Sequence, residues 1–92
     1  MLNYLFKASF TRQFKKLESR KKKQIIEAIE SLKTLFGSGQ NPEGLGLKRL
    51  SSNIWEIRST LKDRILFTYE NEAIVFVLVG NHDEISRYLK GL

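Results

Sequence analysis

The chain has 92 residues, of which 41% are hydrophobic, and this length predicts a single domain over residues 1–92 with one small core. It contains no cysteine, which excludes disulfides and thiolate metal sites. The formal net charge is +6, and eight Lys and Arg residues precede residue 24 against Glu18 alone. This balance suggests a polyanion or an acidic protein as partner, although a run such as Arg20–Lys23 is often only a solvated helix surface.

The sequence predicts neither a membrane-spanning segment nor a targeting segment. The N-terminal residues lack a long apolar stretch followed by a small-residue cleavage site. The longest apolar run, Ala73–Val79, is too short to cross a bilayer as a helix. We therefore expect a soluble cytoplasmic protein that does not interact with a membrane.

The first half of the chain predicts one strand and two helices. Alternating side chains predict a strand over Leu2–Lys7, and Ser9 is a candidate N-cap for the helix that follows. Ser19 is the candidate cap of a second helix, which is expected to end at Gly37. The apolar face of this second helix is Ile25, Ile26, Ile29, Leu32, Leu35 and Phe36.

The second half predicts a Gly-rich loop over Gly37–Gly46, then three strands and a short helix. The strands correspond to the runs Ile54–Arg58, Arg64–Tyr69 and Ala73–Val79. The third run is almost entirely apolar, as expected for a central strand buried on both faces. The helix is expected over Asp83–Leu89, capped by Asn81 or Asp83.

Strands joined by tight turns pair antiparallel, so these elements define the fold class. We expect an α+β fold with a small antiparallel sheet of about four strands packed against an N-terminal helical hairpin. The order is β-α-α-β-β-β with a short C-terminal helix. The hairpin should cover one face of the sheet, and the other face stays at least partly open.

Two arginines flank the first predicted hairpin turn. Arg58 ends one strand and Arg64 begins the next, so their guanidinium groups can lie close together. Such a pair can bind a phosphate and stabilise the charge of a phosphoryl transition state. Alternatively, they are edge charges that protect the sheet from aggregation. His82, the only histidine, suits a general acid or base, although such residues are more often capping or surface groups. Tyr88 is a hydrogen-bond donor, a base-stacking platform or a core aromatic.

Other residues offer weaker signals. Lys48 and Arg49 precede the strands and could contact phosphates, and the loop carboxylate of Glu43 could act as a base. Trp55 could stack on a base, but core packing is the stronger interpretation. The sequence has no metal-ligand pattern, no P-loop and no GxGxxG motif, so we expect neither a metal nor another cofactor.

Three segments together resemble the RelE/ParE superfamily of type II toxin–antitoxin toxins. They are LKRLSSNIWEIR at 47–58, DRILFTY at 63–69 and IVFVLVGNHDEISRY at 74–88. The resemblance implies a RelE-like fold and a ribosome-dependent endoribonuclease that cuts mRNA in the A site and inhibits translation. It implies attack by the ribose 2′-OH without a metal. The implied partners are a RelB-like antitoxin, the ribosome and mRNA.

The same resemblance implies a role for each candidate residue. Arg64 would bind the scissile phosphate, and Arg58 would stabilise the transition state. His82 would be an acid or base, and Tyr88 would orient the substrate or stack on a base. Three further residues would hold RNA phosphates: Lys48, Arg49 and Lys62.

The general base remains open, because this chain has Glu56 where some relatives have a lysine. Glu56, Glu43 and His82 are the candidates. Two other activities also remain open. One is a ParE-like toxin that inhibits DNA gyrase, and the other is an inactive toxin relative that only binds its antitoxin. The presence of Arg58 and Arg64 together with a histidine and a tyrosine favours the nuclease.

Overall fold

A computed structural model describes residues 2–39 and 45–91, so the candidate base Glu43 lies outside the described residues. The elements are β1 (Asn3–Phe6), α1 (Ala8–Lys15), α2 (Ser19–Ser38), β2 (Lys48–Arg49), β3 (Ile54–Arg58), β4 (Asp63–Glu70), β5 (Ala73–Asn81) and α3 (His82–Lys90). The predicted α+β class and the order of the main elements are confirmed. Within the described ranges, no helix combines the length and the apolar character that crossing a membrane requires.

The sheet has five strands in the order β1-β5-β4-β3-β2. The predicted antiparallel meander of β3, β4 and β5 is confirmed. However, β1 pairs parallel with β5, so the sheet is mixed. No tight turn joins β1 to β5, because two helices lie between them, and a hairpin therefore does not impose an antiparallel direction. The fifth strand, β2, has only two residues and forms through its pairing with β3.

A β-bulge interrupts the pairing of β5 with β4. Leu66 pairs with Leu78 and Phe67 pairs with Phe76, which leaves Val77 as an extra residue. The bulge breaks the strict alternation of β5. Phe76 therefore packs on the α1–α2 side of the sheet, while Val77 and Leu78 both pack on the α3 side. The prediction of a central strand buried on both faces is confirmed.

Helices cover both faces of the sheet. On the first face, α1 and α2 contribute the buried residues Phe10, Ile25, Ile29 and Leu32 to the main core. On the second face, which we call the α3 face, Ile85 packs with Leu66, Val77 and Leu78. Since α3 has only nine residues, it leaves part of this second face uncovered.

The two predicted serine N-caps are wrong. The N-cap positions of α1 and α2 are Lys7 and Glu18, and neither makes a side-chain capping hydrogen bond. Ser9 lies inside α1, and its hydroxyl donates to the Val77 carbonyl at 2.5 Å. Ser19 is the first residue of α2. Tertiary contact with the sheet has therefore replaced the local capping interaction that the sequence suggested for Ser9.

The other helix ends differ in how well the sequence predicted them. The predicted end of α2 at Gly37 is wrong, because the helix continues to Ser38 and is capped by Gly39 with φ +76°. Gly39 rather than Gly37 therefore uses the left-handed conformation that glycine tolerates. The predicted cap Asn81 is confirmed at α3. Its side chain accepts from the Glu84 amide at 2.8 Å, and the Glu84 carboxylate accepts from the Asn81 amide at 2.9 Å.

Candidate functional site

Arg58 and Arg64 lie directly opposite each other on β3 and β4. Residues that are opposite in an antiparallel pair project from the same face. Glu56 shares this face, because it lies two residues before Arg58 and opposite Leu66 of the α3-side core. Lys48 lies opposite Glu56. These four residues, Lys48, Glu56, Arg58 and Arg64, form what we call the arginine patch of the α3 face.

The side chain of Arg64 is held in place by three interactions. Its Nε lies 3.4 Å from the Glu56 carboxylate, and the exposed fraction of both side chains is 15%. Its Nη1 donates to the Leu61 carbonyl at 2.9 Å and to the Thr60 carbonyl at 3.4 Å. Because these partners fix the guanidinium before any ligand binds, a phosphate that contacts it meets an oriented donor.

The tight turn between β3 and β4 explains why these carbonyls face Arg64. The Thr60 hydroxyl accepts from the amides of Lys62 and Asp63 at 3.2 and 3.1 Å and lies 3.2 Å from an Asp63 carboxylate oxygen. Such side-chain bonds to nearby backbone are typical of turns that begin at Ser or Thr. The turn thereby directs the Thr60 and Leu61 carbonyls toward the guanidinium of Arg64.

Arg58 is exposed, and its side chain passes close to the backbone of Gly46, where a larger residue would collide with it. Gly46 has φ +61°, and a Cβ atom there would lie 2.9 Å from Arg58 Nε. The Arg58 amide also donates to the Leu45 carbonyl at 2.8 Å, which extends the pairing beyond β2. Among the described residues, no carboxylate lies within ion-pair distance of Arg58. Its guanidinium is therefore open to an incoming anion.

His82 lies at the same end of the sheet as the arginine patch. It is the first residue of α3, and it follows Asn81, which pairs with Asp63 at the start of β4. Its side chain is 77% exposed, and its Nδ1 lies 3.6 Å from the Asp83 carboxylate. Gly80 pairs with Arg64, and His82 follows Gly80 by two positions in the chain, so His82 lies near the Arg64 end of the patch.

Tyr88 is separated from the other three candidate catalytic residues. It is half-buried and packs on the α3-side core. It also lines a cavity with Ile54 and Thr68, which pair with each other at the other end of β3 and β4 from the arginines. It lies six positions after His82 in α3, which corresponds to roughly 9 Å along the helix axis. The structure thus brings together Arg58 and Arg64, places His82 at the same sheet end, and places Tyr88 farther along α3.

The three predicted RNA-binding residues lie in different surroundings. Lys48 is an exposed member of the arginine patch, and Lys62 is exposed in the β3–β4 turn. Arg49 instead lies opposite Trp55, on the other face of the sheet. Its guanidinium lies 5.6 Å from the Trp55 ring centroid and donates to the Ser51 and Ser52 carbonyls at 3.0 and 2.7 Å. Arg49 therefore stabilises the β2–β3 loop, and Trp55 packs against the main core as expected.

The chemistry of the arginine patch is that of an anion site. Three cationic side chains share one face with a single carboxylate, that of Glu56. Such a set can bind a phosphate and stabilise added negative charge. The contact between Gly46 and Arg58 was not predicted from the sequence, although Gly46 belongs to a visibly Gly-rich segment. Residues 2–39 and 45–91 hold no group of three His, Cys, Asp or Glu side chains that could bind a metal ion.

Neither a protein-family model nor a curated protein sequence matches this chain. Solved structures do match it over most of its length. The RelB–RelE antitoxin–toxin complex from Methanococcus jannaschii matches with a TM-score of 0.69 and 23% identity, covering 91% of this chain and 96% of that chain. YafQ from E. coli matches with a TM-score of 0.67 and 12% identity, covering 92% and 98%.

The YoeB dimer from Staphylococcus aureus is also similar, with a TM-score of 0.67 and 20% identity over 88% of this chain and 97% of that chain. At these identities the likeness establishes the fold. The chain therefore has the RelE-like fold, and the resemblance found in the sequence is confirmed at that level.

Proposed function

We propose that this protein is the toxin of a type II toxin–antitoxin system and acts as a ribosome-dependent endoribonuclease. In this proposal it cleaves mRNA in the A site and inhibits translation. The observation that carries the proposal is the register of Arg58 and Arg64, which places two guanidiniums on one face with Arg64 already oriented. The RelE-like fold also supports the proposal, because the similar structures include the RelB–RelE antitoxin–toxin complex.

The reaction follows from what the patch can bind. A backbone phosphate of the mRNA contacts the open guanidinium of Arg58 and the oriented guanidinium of Arg64. The ribose 2′-OH loses its proton to a base and attacks the adjacent phosphorus. The bond to the 5′-oxygen breaks, that oxygen takes a proton from an acid, and the products are a 2′,3′-cyclic phosphate and a 5′-OH. Arg58 stabilises the charge that accumulates on the non-bridging oxygens.

Proton transfer falls to the groups beside the patch. His82 is exposed at the same sheet end and can serve as acid or base. Glu56 forms an ion pair with Arg64, and Glu43 remains a third candidate base. Tyr88, at the other end of the α3 face, would contact a neighbouring nucleotide by stacking or hydrogen bonding rather than the scissile phosphate.

Expression of the chain in a bacterial host tests this function. Labelled amino-acid incorporation should fall while labelled thymidine incorporation persists, and mRNA 5′ ends should accumulate at A-site positions. Arg64→Ala should relieve the block while the protein stays folded, and Arg87→Gln, on exposed α3 surface, should not. Loss of thymidine incorporation with intact mRNA would instead favour a gyrase inhibitor.

We also propose a small antitoxin, like RelB, as the protein partner. A groove of about 340 Å³ between α1 and α2 is lined by Phe6, Phe10, Phe14, Ile26 and Ile29. Lys22 Nζ lies beside the groove, 5.9 Å from the Phe14 ring centroid, while Lys33 and Glu30 line the groove as an ion pair with 3.6 Å between Nζ and Oε1. An apolar groove bordered by Lys22 suits an amphipathic segment that carries an acidic residue near that lysine.

Co-expression tests this partner. The product of the reading frame adjacent to this gene should co-purify with the chain and restore translation. Ile26→Ser should weaken the complex, because Ile26 is 51% exposed within the groove. Leu61→Ser is the matched control, because Leu61 is 85% exposed outside the groove. Equal complex formation by both variants would remove the groove from the interface.

A further inference from the structure

A polar cleft lies where α1 and α2 meet the ends of β4 and β5. Its volume is about 200 Å³, and three lysines line it: Lys16 at the end of α1, Lys21 in the first turn of α2, and Lys62 in the β3–β4 turn. We call this the lysine cleft. Val79, which also lines it, belongs to the main core on the α1–α2 side of the sheet. Gly80, Asn81 and Glu84 line it as well, so the cleft lies at the ends of β4 and β5, between the α1–α2 side of the sheet and the first turn of α3.

The ammonium groups in this cleft are incompletely neutralised. Asp63 lies 3.8 Å from Lys21 Nζ but also contacts the Thr60 hydroxyl. The Glu84 carboxylate accepts from the Asn81 amide. Among the described residues, Lys16 and Lys62 have no carboxylate within ion-pair distance. Like charges gathered in one concave site repel each other, and an anion bound between them removes that repulsion.

Additional cations of α2 raise the potential at this end of the protein. The first turn of α2 has no acidic residue, although acidic side chains are the ones favoured there. It carries instead the basic run Arg20–Lys23. This run was also consistent with a solvated helix surface, but one of its members, Lys21, faces the cleft.

We propose that the lysine cleft binds a phosphate of the RNA backbone, as a contact separate from the arginine patch. The inference rests on the proposed function for the identity of the substrate. Three ammonium groups against the Asp63 and Glu84 carboxylates leave a net charge of about +1, which matches a phosphodiester better than a phosphate dianion. The side-chain amide of Asn81 can add a donor, because its Oδ1 accepts from the Glu84 backbone N–H while its Nδ2 donates to no residue that the structure describes.

The geometry also connects the cleft to the cutting site. A single residue, Asp63, separates Lys62 in the cleft from Arg64 in the patch. An RNA strand that leaves the arginine patch can therefore pass around the start of β4 and reach the lysines. The cleft would hold the flanking RNA and would not take part in bond cleavage.

Fluorescence anisotropy with a labelled single-stranded oligoribonucleotide at several salt concentrations tests the proposal. The variant Lys16→Gln/Lys21→Gln/Lys62→Gln should bind on the order of tenfold more weakly, and its plot of log affinity against log salt should be shallower by about 0.7 for each phosphate that it no longer binds. The control Arg12→Gln/Lys15→Gln/Lys90→Gln removes the same charge from exposed surface and should change the affinity less than about threefold. The variant Lys16→Arg/Lys21→Arg/Lys62→Arg, which keeps the charge of the cleft, should retain binding.

Further measurements separate the remaining outcomes. Equal affinity of the two glutamine triple variants for RNA would overturn the proposal. Binding of inorganic phosphate alone would also overturn it. That outcome would appear as thermal stabilisation by phosphate, at constant ionic strength, that depends on the three lysines, without any lysine-dependent change in RNA binding. If the triple variant does not fold, Lys62→Gln in the exposed turn replaces it against Lys90→Gln. Wild-type protein that binds RNA through the cleft but cuts no mRNA would contradict the proposed function and leave the site standing.

Discussion

The carboxylate of Glu56 lies 3.4 Å from Arg64 Nε, and the two residues are diagonal neighbours on β3 and β4. Each side chain keeps 15% of its surface exposed, so the pair is largely shielded from water without being buried completely. Glu56 stands where the family resemblance leads us to expect a lysine in some relatives. It is therefore the counter-ion of Arg64, the arginine that we propose to bind the scissile phosphate. Glu56 can orient Arg64 whether or not it also accepts a proton.

The first prediction concerns this ion pair. Glu56→Gln should lower the free energy of unfolding by about 1–2 kcal/mol, because it leaves a shielded guanidinium with only carbonyl partners. Glu27→Gln, on the exposed surface of α2, should change it by less than about 0.5 kcal/mol. Urea unfolding of Glu56→Gln, Arg64→Gln and the double variant measures the coupling. Strictly additive effects would show that the pair contributes nothing.

The second prediction concerns the space that Gly46 leaves for Arg58. Gly46→Ala and Gly39→Ala both place a side chain at positive φ, so each should cost about 1 kcal/mol of stability. Only Gly46→Ala also brings a Cβ to 2.9 Å from Arg58 Nε, whereas no atom of the described residues lies within 4 Å of a Cβ at Gly39. RNA affinity and cleavage should therefore fall for Gly46→Ala and persist for Gly39→Ala. Equal activity of the two variants would show that Arg58 does not need its present position.

The third prediction separates two neighbouring basic residues. Lys48→Ala should weaken RNA binding with little effect on stability, since Lys48 is an exposed member of the arginine patch. Arg49→Ala should instead lower the free energy of unfolding by roughly 1 kcal/mol, because it removes two hydrogen bonds to the β2–β3 loop and the contact with Trp55. Anisotropy and urea unfolding of both variants check this, and the reverse pattern would contradict the assignment.

The fourth prediction concerns the start of α3, where His82 lies. Asn81→Ala removes the side chain that accepts from the Glu84 amide and should cost about 1 kcal/mol. Asn81→Ser keeps a capping oxygen and adds no negative charge beside the lysine cleft, so it should retain most of that stability. Because the cap fixes the first turn of α3, cleavage should decline in Asn81→Ala and survive in Asn81→Ser. Unfolding curves and cleavage rates of the pair measure both effects.

The sequence predicted those parts of the fold that depend on local patterns. The meander of β3, β4 and β5 followed from three apolar runs with tight turns between them. The same turns brought Arg58 and Arg64 face to face, so the proximity of these two residues was predictable from the sequence. The cap at Asn81 was one of two local candidates, and it proved to be the correct one.

The features that the sequence did not predict depend on tertiary contacts. One such feature is the parallel pairing of β1 with β5, and another is the hydrogen bond from the Ser9 hydroxyl to the Val77 carbonyl. Both join residues that are far apart in the chain. The bulge at Val77 leaves no mark in an apolar run, because every position of that run is hydrophobic. Similarly, the lysine cleft gathers residues from three separate segments. The loop carbonyls that hold Arg64 are invisible to side-chain patterns, since every residue has a carbonyl.

Cleavage on purified ribosomes tests the central claim most directly. Ribosomes stalled with a defined mRNA and an empty A site are mixed with the chain, and the ends of the RNA products are identified by mass spectrometry. The proposed function predicts cuts within the A-site codon, with 2′,3′-cyclic phosphate and 5′-OH ends, no requirement for divalent metal in the chemical step, and loss of cutting in folded Arg64→Ala. Intact mRNA with folded wild-type protein bound to the ribosome would contradict it.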